Sequence, residues 1–309
     1  MVQTDSVDKE KILVICGPTC VGKSDFAVDA AKKYDGEIIG VDSVQVYKLL
    51  DIGSGKITRE EMRGVPHYLI DVKMPDESFS VVDFLNEAKP LITDIISRGK
   101  LPIIVGGTGF YINALLHGYK CGGSAPDKPL RIKLKKTEVL LGDGALYDAL
   151  SRTEPELKSE RADLFRTVRR FERAMTPPYG EYIDVDEDEE YDALLVVMDA
   201  DRAKLEEKAA ARIEKMFAAG LLDEVRSLKM YHKFRCMQSV GYKSVLLGLS
   251  NDMSDDEIKT NMRQEYHDLI KKQQTFFRWI KWSNKYVLYN WDYAGAEKAI
   301  KEFITRGLR

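Results

Sequence analysis

The chain has 309 residues, 44% of them hydrophobic and 31% charged, enough apolar mass for one large domain or two modest ones. Its formal net charge of −3 excludes a global field as the source of any attraction to nucleic acid, so such a partner must be met by local basic clusters. The start is polar and acidic, no later run is long and apolar enough to cross a bilayer, and Cys16, Cys20, Cys121 and Cys236 show neither paired nor zinc-finger spacing; a cytoplasmic chain with no membrane span, zinc site or disulfide framework is expected.

In chain order, Lys11-Ile-Leu-Val-Ile-Cys16 reads as a buried strand that runs into a glycine loop and then an amphipathic helix over 23–33. Glu37-Ile-Ile-Gly-Val41, Tyr68-Leu-Ile-Asp71, Leu101-Pro-Ile-Ile-Val105 and Ala193-Leu-Leu-Val-Val-Met198 repeat the strand signal, and Lys285-Tyr-Val-Leu-Tyr289 is a candidate last edge strand. Apolar strands alternating with helical stretches predict an α/β fold with a doubly wound parallel sheet. Between 119 and 191 the texture changes to a Cys-Gly-Gly-Ser-Ala-Pro turn, charged helical patterns, Pro177-Pro178 and an acidic run from Asp184 to Glu190, read as an inserted, mostly helical subdomain. The core is then 1–118 with 192–309. Apolar positions at helical spacing predict one helix from Asp201 to Lys229, and Ser254 with acids after it predicts another helix start.

Gly17, Pro18, Thr19, Cys20, Val21, Gly22, Lys23 and Ser24 fit G-x-x-x-x-G-K-[ST], between a predicted strand and a predicted helix as a P-loop requires. Backbone N–H groups at a helix N-terminus cradle phosphate oxygens, Lys23 supplies a point charge, and Ser24 is the candidate ligand of a magnesium ion, Mg2+. The cradle specifies linked phosphates without saying which: a nucleoside triphosphate is the default, and a prenyl diphosphate offers the same group.

Four further segments decide: Asp42-Ser-Val-Gln-Val-Tyr47, Asp51-Ile-Gly-Ser-Gly-Lys56, Val105-Gly-Gly-Thr-Gly109 and Gly241-Tyr-Lys243. In this order behind the cradle they resemble the tRNA dimethylallyltransferases, in which Asp-Ser-x-x-x-Tyr, Asp-Ile-Gly-Thr, Val-Gly-Gly-Thr and Gly-Tyr-Lys recur. The resemblance runs from about Lys11 to Arg278. It implies a P-loop NTPase-like core that moves a prenyl group from dimethylallyl diphosphate to the exocyclic amine of the adenine next to a tRNA anticodon.

The chemistry asks for particular groups. An adenine amine is a poor nucleophile because its lone pair is delocalised, so a base must take its proton as the carbon bond forms. Asp42, expected at the carboxyl end of the second strand, is the candidate base; the plain structural reading is a helix cap or a magnesium-associated acid. Thr108, past the fourth strand, is a candidate donor to the departing diphosphate, where residue types alone give a tight turn. By resemblance, Arg212 contacts the diphosphate and Asp42, Ser43, Val44 and Gln45 touch the target adenine with Thr108.

Basic stretches at 128–136 and 166–173 have the composition of solvated helix faces. The resemblance makes Arg131, Arg166 and Arg169 tRNA contacts, and assigns reading of the flipped-out base to Gln238, Ser239, Val240, Gly241, Tyr242 and Lys243. A third group, Lys271-Lys-Gln-Gln-Thr-Phe-Phe-Arg278 with Trp279, Lys281 and Trp282, interleaves aromatics with charge, as single-strand binders and packed cores both do. The chain departs from the family pattern at Tyr266-His267-Asp268 and at Ala162-Asp-Leu-Phe165, which bears on RNA contact and leaves the transfer site intact. A zinc finger of the eukaryotic type is not encoded, so a bacterial-type enzyme acting as a monomer is expected. The competing readings are prenylation of free adenine nucleotides, a P-loop small-molecule kinase and an RNA-binding module with a nucleotide switch.

Overall fold

Buried apolar runs make the strands β1 (Lys11–Cys16), β2 (Gly36–Val41), β4 (Leu101–Gly106) and β5 (Asp192–Asp199), with a two-residue β3 (His67–Tyr68) and an edge strand β6 (Lys285–Tyr289). A computed structural model describes residues 9–118, 127–153, 164–175 and 189–306. All the strands pair in parallel, in the order β3-β2-β4-β1-β5-β6. Ile12 through Cys16 are 0% exposed, so β1 is covered on both faces, which is why its sequence is apolar throughout rather than alternating. Each such buried Leu or Ile contributes roughly 1.5–3 kcal/mol.

The helix α1 (Lys23–Lys33) has the predicted bounds. Next come α2 (Arg59–Met62), α3 (Val81–Ser97) and α4 (Gly109–Leu116). The helix start expected at Ser254 is that of α11 (Asp255–Trp279), where Ser254 and Glu257 form a reciprocal capping box.

Two expectations are corrected. The third strand ends at Tyr68, because Leu69 and Asp71 turn to φ values of 60° and 57° and leave the extended region. The single helix expected over 201–229 is two, α8 (Arg202–Ala218) and α9 (Leu221–Ser227), because Gly220 adopts φ 94° and resets the axis. Past α9 lie α10 (Lys243–Ser250) and, at the end, α12 (Tyr293–Thr305).

The chain divides into two compact units, Met1–His117 with Glu189–Arg309, and Gly118–Asp188. In the second, the helices α5 (Lys128–Leu141), α6 (Ala145–Thr153) and α7 (Leu164–Met175) close on Leu134, Leu146 and Val168. Asp127 caps α5, its carboxylate accepting from Leu130 N–H at 2.9 Å, and Pro129 sits in the first turn, where its missing N–H has no helical partner to lose. The turn at 121–126, Pro177-Pro178, residues 184–188 of the acidic run, Ala162-Asp163 and the polar start at 1–8 lie outside the described residues, as does the side chain of Arg166. Among the described residues no helix is long and apolar enough to cross a membrane.

Candidate active site

In the sheet register Cys16 and Val41 both pair with Gly106, so β1, β2 and β4 end level. Gly17, Asp42 and Gly107 therefore begin their loops side by side, on strands about 4.8 Å apart, at the carboxyl edge where open α/β sheets bind ligands. Gly17 adopts φ 143° against the Met198 carbonyl, where a side chain would overlap that oxygen. Lys23 Nζ donates to the Pro18 carbonyl at 2.7 Å, folding the ammonium back on its own loop. Burial pulls the Lys23 pKa down to about 8; Asp42 and Cys20 favour its charge and Arg212 opposes it. Ser24, at the head of α1, is exposed.

The phosphate loop is fastened from two sides. Trp291 Nε1 donates to the Val21 carbonyl at 2.8 Å, and Lys208 lies 3.8 Å from the centre of the Trp291 ring. Gln273, on α11, accepts from Thr19 N–H at 2.8 Å and donates to the Gly107 carbonyl at 3.0 Å, tying the cradle to the loop after β4.

Asp42 is both a turn former and an open acid. Its Oδ1 accepts from Val44 N–H at 2.8 Å and Gln45 N–H at 3.2 Å, while its Oδ2 has no hydrogen-bond partner among the described residues. Thr108 Oγ1 accepts from Ser43 N–H at 3.2 Å, which leaves the hydroxyl proton to donate elsewhere. Gln45 Nε2 donates to the carbonyls of Ser54 at 3.4 Å and Gly55 at 3.3 Å. Arg212 donates to the same Gly55 carbonyl at 3.0 Å. Burial disfavours the Arg212 charge, yet beside Tyr266, Cys20 and Asp42 the guanidinium is shifted upward and stays cationic. The structure thus brings Asp42, Lys23 and Arg212 into one electrostatic neighbourhood, with Thr108 one hydrogen bond from the Asp42 turn.

The segment expected to read a base divides. Gln238 and Lys243 are exposed and Ser239 and Val240 half-buried, whereas Gly241 and Tyr242 are buried. The Tyr242 ring is 0% exposed, and its hydroxyl donates to Glu224 at 2.8 Å, so its place here is structural. The aromatics at the end of α11 divide as well: Phe277 is buried and Trp279 is 75% exposed. Trp282 is packed, donating from Nε1 to the Ala193 carbonyl at 2.9 Å.

In the inserted unit, Arg131 and Arg169 converge on Glu172, which is 0% exposed. Arg131 donates through Nε at 3.0 Å and through its terminal nitrogen at 2.7 Å. Burial alone would raise the Glu172 carboxyl; the two arginines outweigh it and hold the group below its ordinary range. Both guanidiniums are thereby anchored by an internal acid.

Sequence reasoning missed Gln273 and Glu224. Each stands on a helix among charged neighbours, where composition gives a solvated face, and the only signal available was an uncharged glutamine inside a basic run in the first case.

A family model described as IPP transferase matches residues 45–279. A tRNA dimethylallyltransferase of Exiguobacterium sp. is 39% identical over 274 residues, 87% of this chain and 88% of that one. One from Streptococcus suis is 41% identical over 275 residues, covering 87% and 90%. Among solved structures, the tRNA isopentenylpyrophosphate transferase of Bacillus halodurans is 35% identical with a TM-score of 0.71, covering 96% of each chain. A eukaryotic dimethylallyltransferase acting on tRNA is 26% identical with a TM-score of 0.77, covering 96% of this chain and 80% of that one.

Proposed function

We propose that this chain, which belongs to the IPP transferase family, moves a dimethylallyl group from dimethylallyl diphosphate to the exocyclic amine of the adenine next to a tRNA anticodon. The observation that carries the reading is that the phosphate cradle and Asp42 start side by side at the level end of β1, β2 and β4, with Arg212 linked to the Asp42 turn through the Gly55 carbonyl and Gln45. Two cations and a phosphate cradle suit a diphosphate that must leave; a carboxylate beside them suits an amine that must lose a proton.

The step balances without a covalent enzyme intermediate. The allylic carbon–oxygen bond breaks, its electron pair leaves on the diphosphate, the amine nitrogen bonds to that carbon, and its proton passes to Asp42 Oδ2. Lys23, Arg212 and the loop amides meet the growing negative charge, and the Thr108 hydroxyl donates to the departing oxygen. The Ser24 hydroxyl, exposed at the head of α1, would hold a magnesium ion, which would add to the charge neutralisation on the leaving group. Arg131, Arg166 and Arg169 of the inserted unit would meet tRNA phosphates, and Gln45, Gln238 and Ser239 the adenine. A cytoplasmic location and action as a monomer complete the reading.

Labelled dimethylallyl diphosphate offered together with an anticodon stem-loop, AMP, ADP and ATP tests it. The label is expected on the stem-loop adenine. Label on free nucleotide alone, or turnover that consumes ATP, overturns the assignment.

The Lys23 pKa of about 8 gives a pH dependence. Inorganic pyrophosphate bound beside Lys23 favours the ammonium, so binding takes up a proton wherever free Lys23 is neutral. Affinity then falls as pH rises above about 8, by up to about tenfold per pH unit. Calorimetry on the wild type and Lys23→Arg checks this, because a permanently charged arginine removes the lysine's share of the slope; an identical slope in both assigns it to the ligand's own titration.

A further inference from the structure

We infer that Glu224 is a positioning residue for the transfer reaction: it fixes the loop at 51–55 so that the Gly55 carbonyl holds Arg212 and Gln45 together, an inference that rests on the prenyl-transfer reading. Glu224 stands in α9 and, of the residues the resemblance assigns to substrate, meets Tyr242, whose ring is buried. Its carboxylate gathers four donors. Oε2 accepts from the N–H groups of Asp51 at 3.0 Å and Ile52 at 2.7 Å. Oε1 accepts from Gly53 N–H at 3.1 Å and from the Tyr242 hydroxyl at 2.8 Å. Consecutive backbone amides turned onto one carboxylate fix the path of the loop at three successive peptides, and charge makes each bond stronger than a neutral one.

Packing leaves that path no slack. Gly53 lies under the Tyr242 ring and Gly241 against the Gly53 carbonyl, each too close for a side chain. Two residues on, the loop delivers the Gly55 carbonyl, which accepts from Arg212 at 3.0 Å and Gln45 at 3.3 Å. One oxygen therefore sets the cation that meets the diphosphate and the amide placed beside the Asp42 turn. A shift of the loop moves both, and the distance between leaving group and nucleophile changes with them.

The test is Glu224→Gln in steady-state prenyl transfer to a stem-loop, with pyrophosphate binding measured by calorimetry. An amide nitrogen in place of one carboxylate oxygen opposes the donors it should accept, so kcat is expected to fall about ten- to a hundredfold. Pyrophosphate affinity should drop about tenfold through the displaced Arg212. The diagnostic is coupling: in an Arg212→Ala background, Glu224→Gln should cost pyrophosphate binding little further. Equal losses with and without Arg212, or an unchanged kcat, overturn the inference. Should Glu224→Gln fail to fold, Tyr242→Phe keeps the ring and removes one of the four donors, and the same coupling is expected at smaller size. The pyrophosphate arm needs no acceptor, so loss of coupling there defeats the positioning role, whereas a wild type that binds pyrophosphate and labels no stem-loop defeats the prenyl-transfer reading.

Discussion

Asp42→Asn is expected to lower single-turnover prenyl transfer by about 10²–10⁴-fold, the range spanned by a positioned general base, while tRNA affinity stays within about twofold of wild type. Asparagine is the informative replacement because of how Asp42 is used. Its Oδ1 accepts from Val44 and Gln45 N–H, and an amide oxygen accepts the same two bonds, so the turn that carries Ser43, Val44 and Gln45 survives. What asparagine lacks is a second oxygen able to hold a proton. Asp42→Ala removes the turn as well, at a cost of about 1 kcal/mol for a lost local cap. The gap between the two variants thus separates shaping the loop from accepting the proton. Near-normal transfer by Asp42→Asn, measured with labelled dimethylallyl diphosphate under enzyme excess, removes the residue from the base role and leaves only the turn.

How far the sequence discloses this site depends on where its residues come from. The cradle and Asp42 lie one or a few residues past apolar runs, and a run buried on both faces announces its own carboxyl end; hence α1 and the ends of β1, β2 and β4 follow from local pattern to within a residue, while their level register comes from the pairing of the sheet. Gly220 escaped that logic because Leu221 and Val225 keep the four-residue spacing of Leu205, Ile213 and Phe217 across the break, and periodicity carries no record of a single φ. Leu69 in the left-handed region is the same failure in sharper form, since no residue type predicts it. Glu224 and Gln273 are hidden for a different reason. Each reaches the site across more than 160 residues of sequence, and a polar side chain on an amphipathic helix reads as solvated until the fold brings a row of amides to it. Tyr242 shows the converse: the segment motif assigns it to reading a base, and packing over Gly53 with its hydroxyl on Glu224 gives it a structural place that no motif records.

Lys23→Met should reduce kcat/KM for dimethylallyl diphosphate by about 10²–10³-fold, the scale of removing one preorganised group from developing negative charge. Most of the loss should fall on kcat, because the ammonium meets more charge as the carbon–oxygen bond breaks than in the bound diphosphate. The same substitution should leave the melting temperature of the ligand-free protein no lower than wild type. Burial lowers the Lys23 pKa from 10.5 to about 8, so the folded chain holds that proton less readily than the unfolded chain does. Below about pH 8 both states carry the charge and the fold bears the whole desolvation cost. Between about 8 and 10.5 the unfolded state binds more protons and wild-type stability rises with pH, a gain absent from the methionine variant. Thermal melts of the two proteins across that window, set beside their kcat and KM values, check both halves. A variant that loses stability along with activity would make Lys23 a structural lysine rather than a charge held at a cost for the leaving diphosphate.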